Sequence, residues 1–148
     1  MISTTRRQMM ATVIRPEISQ KNKYYISKHR YYELKHFCLQ YPGWKQDYLE
    51  VQNYGIRSSK NPRVGKTTKQ NSIVETDAMI LQDLSRKIDM IELTAQTTDP
   101  ELANYILQAV TQGLSYEYLS THQEIPCCRD TFYDRYRRFF WLLNTIRG

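Results

Sequence analysis

Apolar residues recur every three or four positions along much of the chain, which is the spacing of one face of an α-helix. The first such stretch follows Ser27, a residue suited to capping a helix, and Pro42 and Gly43 interrupt it. A second, shorter stretch ends at 53–55. Together they predict a helical hairpin over 26–55. Its apolar positions are Tyr31, Leu34, Phe37, Cys38, Tyr41, Trp44, Tyr48 and Val51.

A basic, mostly polar stretch separates this hairpin from a longer amphipathic segment. Residues 56–71 carry lysine or arginine at every third position from Arg57 to Lys69, which is typical of an exposed linker. Residues 72–97 then predict one long helix with a heptad-spaced apolar stripe. The stripe consists of Val74, Leu81, Leu84, Ile88, Ile91 and Ala95. It either packs inside the monomer or also pairs two copies, so a homo-oligomer is one expectation.

Residues 98–148 predict a three-helix module. Asp99 followed by Pro100 is suited to start a helix, and Gly113 to close it. Ser115 opens a short second helix, and a turn leads to a longer third helix whose apolar residues share one arc, namely Phe132, Tyr136, Phe139, Phe140 and Leu143. This order is typical of a helix-turn-helix. We therefore expect an all-α protein with a tail over 1–25, an N-terminal helical hairpin, a long central helix and a C-terminal helix-turn-helix module.

The outer face of the last helix carries the candidate DNA-binding side chains. Arginine can bond guanine O6 and N7 together, aspartate can accept from cytosine N4, and threonine or tyrosine can contact a thymine methyl group or a phosphate. Arg129 and Asp130 occupy the first turn, where a recognition helix reaches base edges. The predicted DNA-binding residues are Arg129, Asp130, Thr131, Tyr133, Asp134, Arg137 and Arg138. The alternative is that these charges only solvate an amphipathic helix.

Charge and composition favour an anionic partner. The chain of 148 residues has a net charge of +6, and residues 1–70 hold 14 lysines and arginines against four acidic residues. Such a basic half suits phosphate contacts, which position a protein on nucleic acid without reading sequence. No apolar run is long enough to span a bilayer or to act as a secretory signal, which predicts a cytoplasmic protein with no membrane partner.

The pattern predicts no enzyme, cofactor or metal site. Acidic residues between Glu75 and Glu92 spread over a helix face, and the histidines and cysteines lack zinc-binding spacing. Cys38, Cys127 and Cys128 give an odd count with two adjacent, so we interpret them as reduced thiols.

Several runs of the chain together match a known pattern. They are KHRYYELK at 28–35, YPGWK at 41–45, QGLSYEYL at 112–119, IPCCRDTFY at 125–133 and YRRFFWLL at 136–143. In these runs, which extend from about residue 26 to 147, the chain resembles RinA/ArpU-type transcriptional activators of Gram-positive phages and prophages. The resemblance implies a module similar to region 4 of primary sigma factors, and activation of late genes in a bacterial host.

Three functions are compatible with this pattern. The first is a sequence-specific transcriptional regulator that binds double-stranded DNA. The second is the small terminase subunit of a phage packaging machine, since such subunits are also short, helical and oligomeric. The third is a protein-interaction factor that contacts RNA polymerase through its aromatic helices and binds DNA weakly or not at all.

Overall fold

The computed structural model describes residues 20–60 and 67–148, apart from the side chains of 55–60 and 67–74. Within these ranges the chain is all-α without a β-strand, so the predicted fold class is confirmed. The helices are α1 (Lys28–Leu39), α2 (Tyr41–Lys60), α3 (Thr67–Thr98), α4 (Ala103–Gln112), α5 (Tyr116–His122) and α6 (Arg129–Arg147). No helix in the described ranges is long and apolar enough to cross a membrane. Residues 1–19 of the predicted tail lie outside the description.

A single residue, Gln40, separates α1 from α2. Ser27 caps α1 as predicted, because its Oγ accepts a hydrogen bond from the N–H of Arg30 at 3.4 Å. Pro42 lies in the first turn of α2, where a helix does not need the N–H that proline lacks. The proline that interrupts the pattern therefore allows a new helix to start at once.

The connection between α2 and α3 is shorter than predicted. Residues 53–55 were expected to end α2, but the helix continues to Lys60, and α3 already begins at Thr67. A single glycine costs a helix only about 1 kcal/mol, and α2 packs along α3. The predicted linker over 56–71 is therefore wrong at both ends, and 61–66 lie outside the described residues.

The helix that pairs with α2 is α3. The hydroxyl of Tyr41 donates a hydrogen bond to Glu92, and Nζ of Lys45 lies 3.6 Å from the same carboxylate. Between these two residues of α2, the ring of Trp44 lies under Nζ of Lys87, 5.4 Å from the ring centre. The start of α2 thus contacts the C-terminal part of α3, while only six residues join the end of α2 to the start of α3, so the two helices are antiparallel. The predicted hairpin of α1 with α2 is corrected accordingly, since α1 packs mainly against α4 and α6.

The apolar stripe of α3 packs inside the chain. Its buried members are Leu84, Ile88, Ile91 and Ala95. Leu81 is half-buried, and the side chain of Val74 lies outside the description. Packing within the monomer therefore accounts for this stripe, and the pairing of two copies stays a prediction.

Caps define the ends of the C-terminal helices. Oδ1 of Asp99 accepts from the N–H groups of Glu101 at 3.0 Å and Leu102 at 3.4 Å, and a turn then leads into α4. Gly113 closes α4 with a φ of 70°, a left-handed conformation that glycine adopts without a steric penalty. Oγ of Ser115 accepts from the N–H of Tyr118 at 3.1 Å and starts α5. The predicted roles of Gly113 and Ser115 are confirmed.

The inner face of α6 lies in the core. Phe132, Phe139, Phe140 and Leu143 are fully buried, which confirms the predicted apolar arc. Polar contacts with α1 add to this packing. The hydroxyl of Tyr136 lies 2.9 Å from that of Tyr31, and Nε of Arg30 donates to Oδ1 of Asn144 at 2.6 Å. Packing and hydrogen bonds therefore fix the rotation of α6, and its opposite side faces outward.

Candidate nucleic-acid interface

The outer face of α6 is polar and rich in arginine. The helix contains five arginines and two aspartates. Among the predicted DNA-binding residues, the exposed ones are Arg129, Asp130 and Thr131, and the half-buried ones are Tyr133, Asp134, Arg137 and Arg138. All seven lie on one helix, and those in its first turn are the most accessible to a partner.

The turn that precedes α6 is held by both neighbouring helices. The hydroxyl of Tyr116 in α5 donates to the carbonyl of Cys127 at 2.8 Å. The side-chain amides of Gln108 in α4 and Gln123 in the turn donate to each other, at 3.2 and 2.6 Å. Because these bonds anchor the turn, the first residues of α6 have a defined position relative to α4 and α5.

Arg129 is directed toward α5. Its Nε lies 3.2 Å from Oε1 of Glu117, and its guanidinium lies over the ring of Tyr133, 5.7 Å from the ring centre. The phenol oxygen of Tyr133 in turn accepts from the backbone N–H of Tyr116 at 3.3 Å. The helical wheel places Arg129 close to the apolar arc, yet its side chain is 48% exposed. Glu117 was not among the predicted site residues.

The rest of the first turn contains small polar groups. Oγ1 of Thr131 lies 3.2 Å from Sγ of Cys128, the residue at the N-cap of α6, and Asp130 is exposed beside them. The hydrogen bond with Thr131 lowers the pKa of the Cys128 thiol. Burial instead raises the pKa of the neighbouring Cys127 thiol. Cys128 is therefore the more acidic thiol of the adjacent pair.

Asp134 is occupied by an ion pair. Its Oδ2 lies 2.9 Å from Nη1 of Arg135, while Nε of Arg135 donates to Oδ2 of Asp99 at 3.1 Å. A contact of Asp134 with cytosine would have to compete with this pair. Sequence reasoning did not assign a role to Arg135. The only signal was Asp99, a helix-capping carboxylate with no lysine or arginine within ten positions of it.

Arg137 and Arg138 lie farther along α6 and are half-buried. Trp141, one turn after them, is partly exposed, and its ring centre lies 5.7 Å from that of Tyr24. Arginine beside an aromatic ring at the surface is suited to contact a phosphate backbone as well as a protein partner.

Two other kinds of site are a metal cluster and an apolar groove. In the ranges that the structure describes, no three His, Cys, Asp or Glu side chains lie close enough together to hold a metal ion. A groove of about 560 Å³ lies between α3 and α4. Leu93 at its edge is 64% exposed, and Asp89 and Glu92 place acidic groups beside its apolar lining.

No protein-family model, no curated protein and no solved structure matches this chain. Function is therefore inferred from the residues and their contacts.

Proposed function

We propose that this protein is a sequence-specific regulator of transcription that binds double-stranded DNA, an activator of phage or prophage late genes of the RinA/ArpU type. In this proposal α5, the turn at 123–128 and α6 form the helix-turn-helix, with α6 as the recognition helix. The proposal combines the resemblance of the sequence with the surface chemistry of α6.

The first turn of α6 carries the proposal. Arg129, Asp130 and Thr131 are exposed there, while the opposite side of the same helix is fixed in the core by Phe132 and Phe139. A recognition helix needs this division, because its N-terminal side chains must reach base edges while its other face holds it at a constant angle. Arginine, aspartate and threonine supply donors and acceptors that distinguish base pairs in the major groove.

Arg137 and Arg138 have a different role in the proposal. Being later in the helix and half-buried, they are suited to neutralise backbone phosphates beside the groove. Each phosphate contact releases condensed counterions, so binding should weaken steeply as the salt concentration rises.

Fluorescence anisotropy with labelled duplexes tests the proposal. A library of random duplexes is first enriched on the immobilised protein, and the enriched sequences are then titrated at several salt concentrations. We expect sequence-dependent binding at about 50 mM salt that falls by orders of magnitude at about 200 mM. The absence of binding to any duplex at the lower concentration would rule out the proposed function.

A second function, contact with RNA polymerase or another protein, is supported by the groove between α3 and α4. Exposed leucine beside acidic groups is typical of a surface that receives an apolar side chain flanked by basic residues. Substitution Leu93→Glu should weaken capture of purified bacterial RNA polymerase and leave DNA binding unchanged. Equal capture by the two forms would exclude this groove.

A further inference from the structure

The contact between Arg129 and Glu117 uses only part of the arginine. Nε lies 3.2 Å from Oε1 of Glu117, and the central carbon of the guanidinium lies over the ring of Tyr133, 5.7 Å from the ring centre. Within the described residues, Glu117 is the one carboxylate that forms an ion pair with Arg129. The Nε side of the guanidinium thus lies next to Glu117, and among the described residues no second carboxylate pairs with this half-exposed side chain.

We propose that Glu117 is a positioning residue which presents Nη1 and Nη2 of Arg129 to O6 and N7 of a guanine in the major groove. This inference rests on the proposed function. It adds the base that the first turn of α6 recognises and the residue that orients the recognising arginine. Two parallel N–H donors match the two acceptors on the guanine edge, and this pair is the commonest specific contact of arginine with DNA. Arg129 lies at the N-terminal end of α6, where base edges are within reach.

The carboxylate of Glu117 favours a base over a phosphate as the partner. A phosphate bound to Arg129 would bring a negative charge close to Glu117, and the two anions would repel each other. Guanine is neutral, so its approach carries no such penalty. The ion pair also limits the rotation of a flexible side chain before binding, which lowers the entropy lost when the two hydrogen bonds form.

Arg135, another arginine of α6 with a tertiary partner, shows the contrast. Arg135 is bonded through Nε to Asp99 and through Nη1 to Asp134. Two carboxylates therefore occupy its guanidinium, which suits a structural contact between α6 and the start of α4. Arg129 has one carboxylate and an exposed first-turn position, which suits recognition.

The test measures base discrimination in variants at Glu117. The probe is the duplex enriched from the random library, together with single-base variants and a form with 7-deazaguanine at each guanine in turn. Glu117→Ala should lower discrimination at one G·C pair by about three- to tenfold, a part of the selectivity that a bidentate contact supplies. Glu117→Gln keeps an oxygen acceptor and should restore part of this loss. Affinity for unrelated duplexes should stay equal or rise slightly, since an anion has been removed.

Two further variants serve as controls. Glu101→Ala removes an exposed carboxylate from the turn before α4, outside the proposed helix-turn-helix, and no ion pair among the described residues involves that side chain. It should leave discrimination unchanged. In the Arg129→Ala variant, base discrimination at that G·C pair should no longer respond to 7-deazaguanine. It should also not respond to the additional substitution Glu117→Ala. Melting curves of all variants should coincide, because both members of the ion pair are about half exposed, at 48% and 53%.

Each outcome supports or overturns the inference. It is overturned if Glu117→Ala matches Glu101→Ala in discrimination, or if the effect of Glu117→Ala persists without Arg129. Duplex binding without any base preference also overturns it, while leaving DNA binding itself in place. If no duplex is bound at all, the proposed function fails together with the inference.

Discussion

The helices α3 and α6 are both amphipathic, but their charged side chains are paired in different ways. In α3, Oδ1 of Asp83 lies 2.8 Å from Arg86, and Oδ2 lies 3.0 Å from Lys87 of the same helix. The hydrogen bond with Lys87 holds the pKa of Asp83 below its usual value. In α6, three arginines contact carboxylates on other elements, as the pairs Arg129–Glu117, Arg135–Asp99 and Arg147–Glu33 show.

The difference indicates which surface is organised for a partner. Ion pairs between residues three or four positions apart follow from helix geometry and neutralise charge within one helix. They do not fix how that helix is oriented against its neighbours. An arginine held by another element has a direction relative to the whole fold. Recognition benefits from such a direction, because ordering a side chain in advance lowers the cost of binding. Substitutions in each helix test this difference.

The largest effect, on the free energy of unfolding, should come from substitutions on the buried faces, where α3 and α6 behave alike. Phe139→Ala should lower the free energy of unfolding by about 3–5 kcal/mol and Ile91→Ala by about 2–5 kcal/mol, since both side chains are fully buried. Urea denaturation measures the change. Leu93→Ala, on the exposed face of α3, should change stability by less than about 0.5 kcal/mol. A small effect of Ile91→Ala would mean that α3 is not part of the core.

The next largest effect, on DNA binding, should distinguish the outer face of α6 from that of α3. Arg138→Ala should weaken binding of all duplexes by up to about tenfold and flatten the slope of log K against log salt by about one unit, as the loss of one phosphate contact does. Arg86→Ala removes the same charge from α3 and should leave the salt slope unchanged. Anisotropy titrations at four salt concentrations decide the question. Equal slopes for the two variants would show that the effect reflects net charge and not the α6 surface.

A smaller effect on stability should distinguish ion pairs between different elements of the fold from ion pairs within one helix. Arg135→Ala should cost about 1 kcal/mol, because Asp99 and Asp134 are both partly shielded and lose a hydrogen-bond partner. The contact of Arg86 with Asp83 lies on the exposed face of a single helix, so Arg86→Ala should leave the melting temperature unchanged. Thermal unfolding of both variants provides the measurement. If both melt alike, the contact of α6 with Asp99 contributes no more than a local pair.

The smallest effect concerns the two adjacent thiols. A lowered pKa gives Cys128 a larger thiolate fraction near pH 7.5 than Cys127, whose pKa is raised by burial. Iodoacetamide should therefore modify Cys128 several-fold faster, and its rate should reach a plateau at a lower pH. Mass spectrometry of Cys127→Ser and Cys128→Ser variants resolves the two rates. Bound duplex should slow the reaction of Cys128, which lies at the start of α6. Equal rates would contradict the assigned hydrogen bond with Thr131.

Much of the fold follows from local sequence patterns. The buried stripe of α3, the buried arc of α6 and the helix ends at Ser27, Gly113 and Ser115 were predicted from spacing and residue type. The end of α2 was not predicted, because Asn53 to Gly55 are weak helix formers that are still compatible with a helix. Patterns also indicated which face of α6 is outward, but not which of its residues are already paired.

Sequence by itself determined an all-α chain with the helix starts at Ser27 and Ser115 and the buried arc of α6, because these depend on residues within a few positions of each other. Tertiary structure alone decided that α2 pairs with α3, that Arg135 reaches Asp99, and that Glu117 contacts Arg129. The bond from Tyr41 to Glu92 joins residues 51 positions apart, and that from Arg135 to Asp99 joins residues 36 apart. Helical periodicity holds no information on such distances, since it places each side chain on a face but does not specify which helix that face meets.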